Sequence, residues 1–287
     1  MSQKKIGILI MILSAFIFAL MQVFVKLTSN EIPLMEQVFI RNTVSFFVAL
    51  FTCIKAKQSI IGPKKYQPLL FARSFFGYLG VITLFYASSN AFQSDVTVIN
   101  KTSPFIITVL AMIFFKEKVT KVQILALITA FLGVVISAGP KFSSTGFAIS
   151  MAILSAVFSA LAYTCLSYFR GKVDGMTVIL HFSAFSIICS IPFIINNFVI
   201  PSSPKIFIYT LLIGVCGSLG QICITYAYRF APAGEISIYN YTGIIFSMLL
   251  GYTVLGESLS STTLIGSVFV IIGSLMVYFN KNKKNQA

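Results

Sequence analysis

The stretch from Tyr86 to Glu117 returns 140 residues later, without a gap, as Tyr226 to Glu257. Tyr86/Tyr226, Ala87/Ala227, Ala91/Ala231, Asn100/Asn240, Thr102/Thr242, Leu110/Leu250 and Glu117/Glu257 are identical. Asp95/Glu235 and Val96–Thr97–Val98/Ile236–Ser237–Ile238 match in kind. The same offset pairs Gly77 with Gly217, Gly80 with Gly220 and Gly133 with Gly273. Near the N-terminus it slips by one, so that Leu13-Ser14-Ala15 resembles Leu154-Ser155-Ala156. Apolar helices share a small alphabet and can look alike by chance. Here polar residues and glycines keep register, which marks a structural repeat.

What each repeat contains follows from hydropathy. The chain is 57% hydrophobic and 10% charged, with a mean hydropathy of +0.93. A soluble domain of 287 residues cannot bury that much apolar surface, so the chain is read as a polytopic membrane protein. Apolar runs bounded by charges, Pro, Asn and Gly predict ten spans: Ile6–Val25, Pro33–Ile54, Pro68–Ser89, Asp95–Phe115, Val119–Ala138, Phe147–Phe169, Met176–Val199, Ile206–Arg229, Glu235–Leu255 and Ser261–Phe279. Each is roughly 20 residues, enough to cross about 30 Å of hydrocarbon. The first run has the length of a full span and lacks a small-x-small cleavage site, which predicts an uncleaved helix and not a removed signal. The organisation expected is residues 1–140 as a first five-helix repeat, 141–280 as a second, and a short basic tail at 281–287.

With the N-terminus inside, fifteen lysines and arginines fall on the inner side and only Lys26, Lys141 and Lys205 on the outer. That bias places both termini in the cytoplasm and explains the net charge of +14 without nucleic acid. Five spans per repeat is an odd number, so the second repeat enters the membrane upside down. Inverted repeats of this kind build carriers that rock about a site near the midplane.

The run Thr97–Lys121 carries Asn100-Lys101-Thr102-Ser103-Pro104 at one end and Phe115-Lys116-Glu117 at the other, echoed by Leu255-Gly256-Glu257. Ser260–Phe279 follows with Gly266 and Gly273. In these features the chain resembles the EamA-type branch of the drug/metabolite transporter superfamily, over nearly its whole length. The resemblance implies a central cavity walled by helices one to four and six to nine, with helices five and ten at the periphery. It implies a plasma-membrane carrier of amino acids, nucleotide-like metabolites or toxic organic compounds. Small multidrug exporters of half this size use a glutamate within their first helix; spans one and six here hold no acid, which argues against that antiport chemistry.

All seven acids lie in loops or near span ends, and Glu117 and Glu257 read as cap or loop-ordering contacts. Three bases fall within spans. Lys101 sits about six residues into span four, roughly 9 Å from its end at ~1.5 Å per residue. Arg41 sits comparably in span two, and Arg73 lies near the end of span three. A charge in hydrocarbon faces a cavity or a partner, or snorkels to the interface. For Lys101, flanked by Asn100, Thr102 and Ser103 with Pro104 freeing backbone carbonyls, the cavity is the favoured reading. For Arg73 the two readings stand level. The candidate substrate-binding set is Lys101, Asn100, Arg41, Tyr78, Tyr86, Tyr163, His181, Gln221, Asn240 and Tyr241. The repeat pairs Lys101 with Tyr241 and Arg41 with His181, so one half offers charge and the other aromatic and titratable groups. Each tyrosine has an alternative role in helix packing or an interfacial belt.

Metalloprotease, nucleophile-elbow and P-loop motifs are absent, and the five cysteines have no metal-ligand spacing. The chain is therefore expected to be no enzyme, to need no metal or cofactor, and to have the bilayer and a small-molecule substrate as partners. Ala15/Ala19 and Gly266/Gly273 read as helix-packing faces. The expected activity is secondary transport of a metabolite bearing a carboxylate or phosphate, an amino acid among the options, with a passive facilitator or an exporter of toxic compounds as the alternative. Single cysteines placed in the Ile60–Gln67 loop and after Phe279 should label only from the cytoplasmic side, and one in the Ser143–Gly146 loop only from outside. Outside labelling of the first two in intact cells would reverse the orientation.

Overall fold

The computed structural model describes residues 3–90, 96, 99–139, 145–196, 198–256 and 261–284. Ten helices follow one another among them: α1 Gln3–Thr28, α2 Leu34–Lys55, α3 Gln67–Asn90, α4 Ser103–Phe115, α5 Lys121–Ala138, α6 Gly146–Tyr168, α7 Gly175–Ile194, α8 Pro204–Phe230, α9 Ala233–Leu255 and α10 Ser261–Lys284. No strand occurs among the described residues. The ten predicted spans are thus present in an all-α membrane protein, and most helices overrun their apolar cores into polar flanks. α10 continues to Lys284 through residues expected to be tail. α7 falls short and stops at Ile194, before the predicted Val199, and α5 starts at Lys121, two residues after the predicted Val119.

Local chemistry sets the ends. The Thr120 hydroxyl accepts the Gln123 N–H while the Gln123 side chain accepts the Thr120 N–H at 2.7 Å, a capping box that starts α5. Ser203 caps α8, with Pro204 in its first turn. α4 and α9 end alike: Lys116 (φ 53°) and Gly256 (φ 67°) turn left-handed, and their N–H groups return to the carbonyls of Ala111 and Gly251. Both pairs are related by the repeat offset.

Two spans are interrupted where the sequence predicts continuous helices. Span four is not one continuous helix: Ile99 and Asn100 are helical, Lys101 and Thr102 form a turn, and α4 begins afresh at Ser103. Pro104 lies in the first turn of the new helix, where its missing N–H costs nothing. α9 breaks at the matching place, as a 3-10 turn over Ser237–Tyr241. At both breaks a threonine hydroxyl donates to the carbonyl three residues back, Thr102 to Ile99 at 2.7 Å and Thr242 to Tyr239 at 2.6 Å. This local bond competes with the helical ladder and tightens the turn.

The main packing runs between repeats. α1 lies on α8, α3 on α6, α2 on α7 and α5 on α10. Shifted by the repeat offset, this pattern maps onto itself. Neither half carries a core of its own, so each folds against the other. α5 and α10 meet backbone to backbone. A Cβ added to Gly133 would lie 2.5 Å from the Gly266 carbonyl oxygen, and one added to Gly273 would lie 2.7 Å from that of Ala126. Lipid gives no hydrophobic drive between helices, so such close approach is what holds them. Outward, Phe51, Ile113, Phe114, Phe207 and Phe279 are more than half exposed and require hydrocarbon as their solvent. We expect Gly133→Leu to lower the apparent melting temperature in detergent, at an overpacking cost of about 1–3 kcal/mol. Gly146→Ala, facing open space, should leave it unchanged.

Candidate functional site

A cavity of about 230 Å3 lies between the halves. Its walls come from α1 (Phe18, Met21, Gln22), α2 (Arg41), α3 (Arg73, Gly77, Leu84), the α4 segment (Asn100, Ser103), α6 (Ser159, Tyr163), α7 (Phe182), α8 (Gln221) and the α9 break (Asn240). Helices one to four and six to nine all contribute; α5 and α10 do not.

Arg73 is enclosed by the packing of α3 on α6 and α7. Its side chain is 2% exposed, and its guanidinium carbon stands 4.5 Å over the Phe182 ring. Its Nε and Nη1 have no hydrogen-bond partner. Arg41 lies over Phe18 at 5.6 Å, with Nη2 a loose 3.5 Å from Gln221 Oε1 and Nε unpartnered. Gln221 is aimed by its own amide, which donates to Thr225 Oγ1 at 3.3 Å. Repeat-related glycines make room for both cations. A Cβ on Gly77 would strike Arg73 Nη1 and come within 2.8 Å of the Phe182 ring; one on Gly217 would come within 2.5 Å of Arg41 Cγ. Among the described residues no carboxylate lines the cavity.

Of the residues singled out in the sequence, Arg41, Asn100, Tyr163, Gln221 and Asn240 converge on this cavity. Lys101 does not line it. Its Nζ rests 3.4 Å from the Asn240 carbonyl, and its own carbonyl accepts the Tyr241 hydroxyl at 2.9 Å. These two residues are counterparts in the repeat. They therefore meet where the broken segments cross, and Tyr241 is fully buried there. By sequence, Glu36 and Asp95 are the acids near enough to pair with the buried bases, but the Glu36 carboxylate takes the Val199 N–H at 3.0 Å. Asp95 and Glu257 lie outside the described residues. His181 is turned away, with Nε2 2.7 Å from the Ile61 carbonyl. Tyr78 packs on Phe185 between α3 and α7. Tyr86 is 43% exposed on the outside of the bundle, with its ring on Phe147, and does not line the cavity. Arg73 is the residue that sequence reasoning left undecided: counting from the span end placed it near the interface, while packing against α6 and α7 encloses it. The signal available was Gly77 one turn later, matched by Gly217.

Contacts between the halves tie them together on each face of the bundle. On the face bearing the N-terminus, Lys4 pairs with Glu235, and Glu117 Oε2 accepts the Gly234 N–H at 3.0 Å. This is the loop-ordering contact expected of Glu117. Its carboxyl is raised above the usual range, because burial outweighs the opposing pull of the Gly234 and Ala233 amides. Thr177 Oγ1 also donates to the Ser59 carbonyl at 2.6 Å. On the opposite face stands the Glu36–Val199 bond. Val199 is the counterpart of Ser59, and Glu36 lies one residue from the counterpart of Thr177. The two ties are thus repeat-related.

Paired broken helices crossing beside a central polar cavity, in a bundle of ten membrane helices, define a membrane transporter. Residues 5–139 and 146–279 each match the EamA-like transporter family, and the chain belongs to that family, within the drug/metabolite transporter superfamily. The pseudopaline exporter CntI of Pseudomonas aeruginosa is 26% identical over 94% of this chain and 95% of its own. Mouse solute carrier family 35 member G1 is 27% identical over 94% of this chain and 77% of its own. The S-adenosylmethionine uptake transporter of Rickettsia bellii is 23% identical over 90% and 88%. A crystal structure 16% identical in sequence superposes with a TM-score of 0.77 over 98% of both chains and shares the fold.

Because the Lys101 and Tyr241 bonds serve one crossing, Lys101→Met and Tyr241→Phe should be strongly sub-additive in apparent melting temperature. The double variant is expected to lose little more than either alone. Additive losses would mean that the two side chains act separately.

Proposed function

We propose that this protein is an alternating-access carrier whose substrate is a small metabolite bearing an anionic group, an amino acid or another carboxylate or phosphate. The observation that carries this reading is Arg73: buried, with two guanidinium nitrogens unpartnered, on the wall of the central cavity. A buried unpaired charge costs several kcal/mol. A site that keeps one and provides a glycine to accommodate it is built for a counter-charge that comes and goes. The aromatic rings of Phe18, Tyr163 and Phe182 and the amides of Asn100 and Asn240 would contact the rest of the substrate. The volume is below the roughly 300–1,000 Å3 typical of drug-sized sites, which favours a compact solute. The repeat-related ties on the two faces supply the gates that such a mechanism opens in turn. Relatives named as an exporter and as an uptake transporter allow either direction, and the cavity favours neither.

The test is uptake and counterflow in proteoliposomes with Arg73 variants. Arg73→Gln should lower transport by about tenfold or more, while Arg73→Lys keeps part of it, since the ammonium replaces the charge but not the planar fork. The apparent melting temperature of the empty Arg73→Gln protein should hold or rise, because an unpaired buried charge has been removed. Unchanged transport, or a marked fall in stability, would make Arg73 a structural residue.

A further inference from the structure

We infer that the preferred substrate is a dianion without a cationic group. The inference rests on the anion-carrier reading above and concerns the charge the site selects. Two guanidiniums line one small cavity, Arg41 from α2 and Arg73 from α3. A single carboxylate satisfies one guanidinium in a bidentate pair and leaves the other buried and uncompensated. The second cannot find its counter-charge in the wall, because no carboxylate among the described residues lines the cavity. Glu36, the buried acid of α2, takes the Val199 N–H through Oε2 and Glu117 takes the Gly234 N–H, and neither lines the cavity.

For a substrate ammonium the cavity offers no carboxylate among the described residues. Cations are held most strongly by carboxylates and aromatic faces, and more weakly by neutral oxygens. The rings of Phe18 and Phe182 are already taken, each by one of the two arginines, and one face of the Tyr163 ring is stacked on Tyr228. Gln221 Oε1 points at Arg41. Asn100 Nδ2 donates to Ser155 Oγ at 2.9 Å, and the Asn240 carbonyl is approached by Lys101 Nζ. That third cation, one residue beyond the wall, raises the positive potential further. An ammonium entering here would meet two guanidiniums and only neutral acceptors such as the Gln22 and Asn240 side chains, whereas two negative charges would complete both arginines. A dicarboxylate and a phosphate monoester share this chemistry.

Thermal melts of the full-length protein in a low-salt, chloride-free buffer test the inference directly. The probes are succinate, glycerol 3-phosphate, butyrate, alanine and sodium chloride. Succinate, glycerol 3-phosphate or both should stabilise at concentrations about 10- to 100-fold below those of butyrate and alanine, the range expected for one further charge-assisted hydrogen-bonded contact. The arm that responds distinguishes the dicarboxylate from the phosphate. Arg41→Gln and Arg73→Gln should each bring the dianion down to the level of butyrate, while Arg41→Lys and Arg73→Lys, which keep the charge and guard against simple misfolding, should retain part of the preference. Equal response to butyrate or alanine, or dependence on only one arginine, overturns the dianion inference and leaves an anion carrier standing. Stabilisation by chloride as strong as by the dianions also overturns it, because the cavity then holds an inorganic counter-ion. If no anion stabilises and Arg73→Gln transports normally, both readings fall.

Discussion

Hydrocarbon offers no water to a broken helix, and the rest of this structure turns on how two breaks are made tolerable. The segments before α4 and within α9 each interrupt their backbone ladder near the middle of the bundle. They are packed against one another so that each supplies what the other lacks. The Tyr241 hydroxyl takes the carbonyl of Lys101, and the Lys101 ammonium sits by the carbonyl of Asn240. Thr102 and Thr242 take further carbonyls locally. Remove the crossing and neither break could remain at that depth. Remove the breaks and Asn100 and Asn240 would lie on continuous helices, with no irregular backbone beside the cavity.

Glycine does the complementary work in two ways. At Gly133, Gly266 and Gly273 it lets α5 and α10 approach backbone to backbone and stay at the periphery. At Gly77 and Gly217 it leaves space that charged stems then fill. The same residue type, recurring in register, therefore serves adhesion on one flank and accommodation at the centre. What decides between the two is the neighbour: a main-chain carbonyl in the first case, a long side chain in the second.

The architecture was legible because its causes are periodic. Apolar runs of membrane length, a basic bias in the loops and a 140-residue echo are all linear properties of the chain. The breaks were less visible. Pro104 hinted at one, but nothing comparable marks Ser237–Tyr241, where a 3-10 turn is imposed by the partner it packs against. Depth was the other blind spot. Counting residues from a span end put Arg73 near the interface and Lys101 in the cavity, yet neighbouring helices enclose the first and the crossing captures the second. His181 and Arg41 occupy matched positions, but the loop carrying Ile61 folds up to claim His181. A repeat in sequence predicts matched backbone; it does not predict matched surroundings.

That mismatch has an energetic consequence. In an inverted-repeat carrier, exchanging the conformations of the two halves converts one access state into the other. Identical halves would make the two states degenerate, and the empty protein would spend equal time in each. Here the halves are unequal where it counts: Lys101 faces Tyr241, Arg41 answers to His181, and Arg73 has Ile213 as its counterpart. Each inequality lifts the degeneracy, and a difference of only about 1.4 kcal/mol gives a tenfold resting preference. For the carrier proposed above, the divergence between the two copies would act as a bias on which side of the membrane the empty site waits, and a substrate that compensates the arginines would lower the free energy of whichever state holds it more closely.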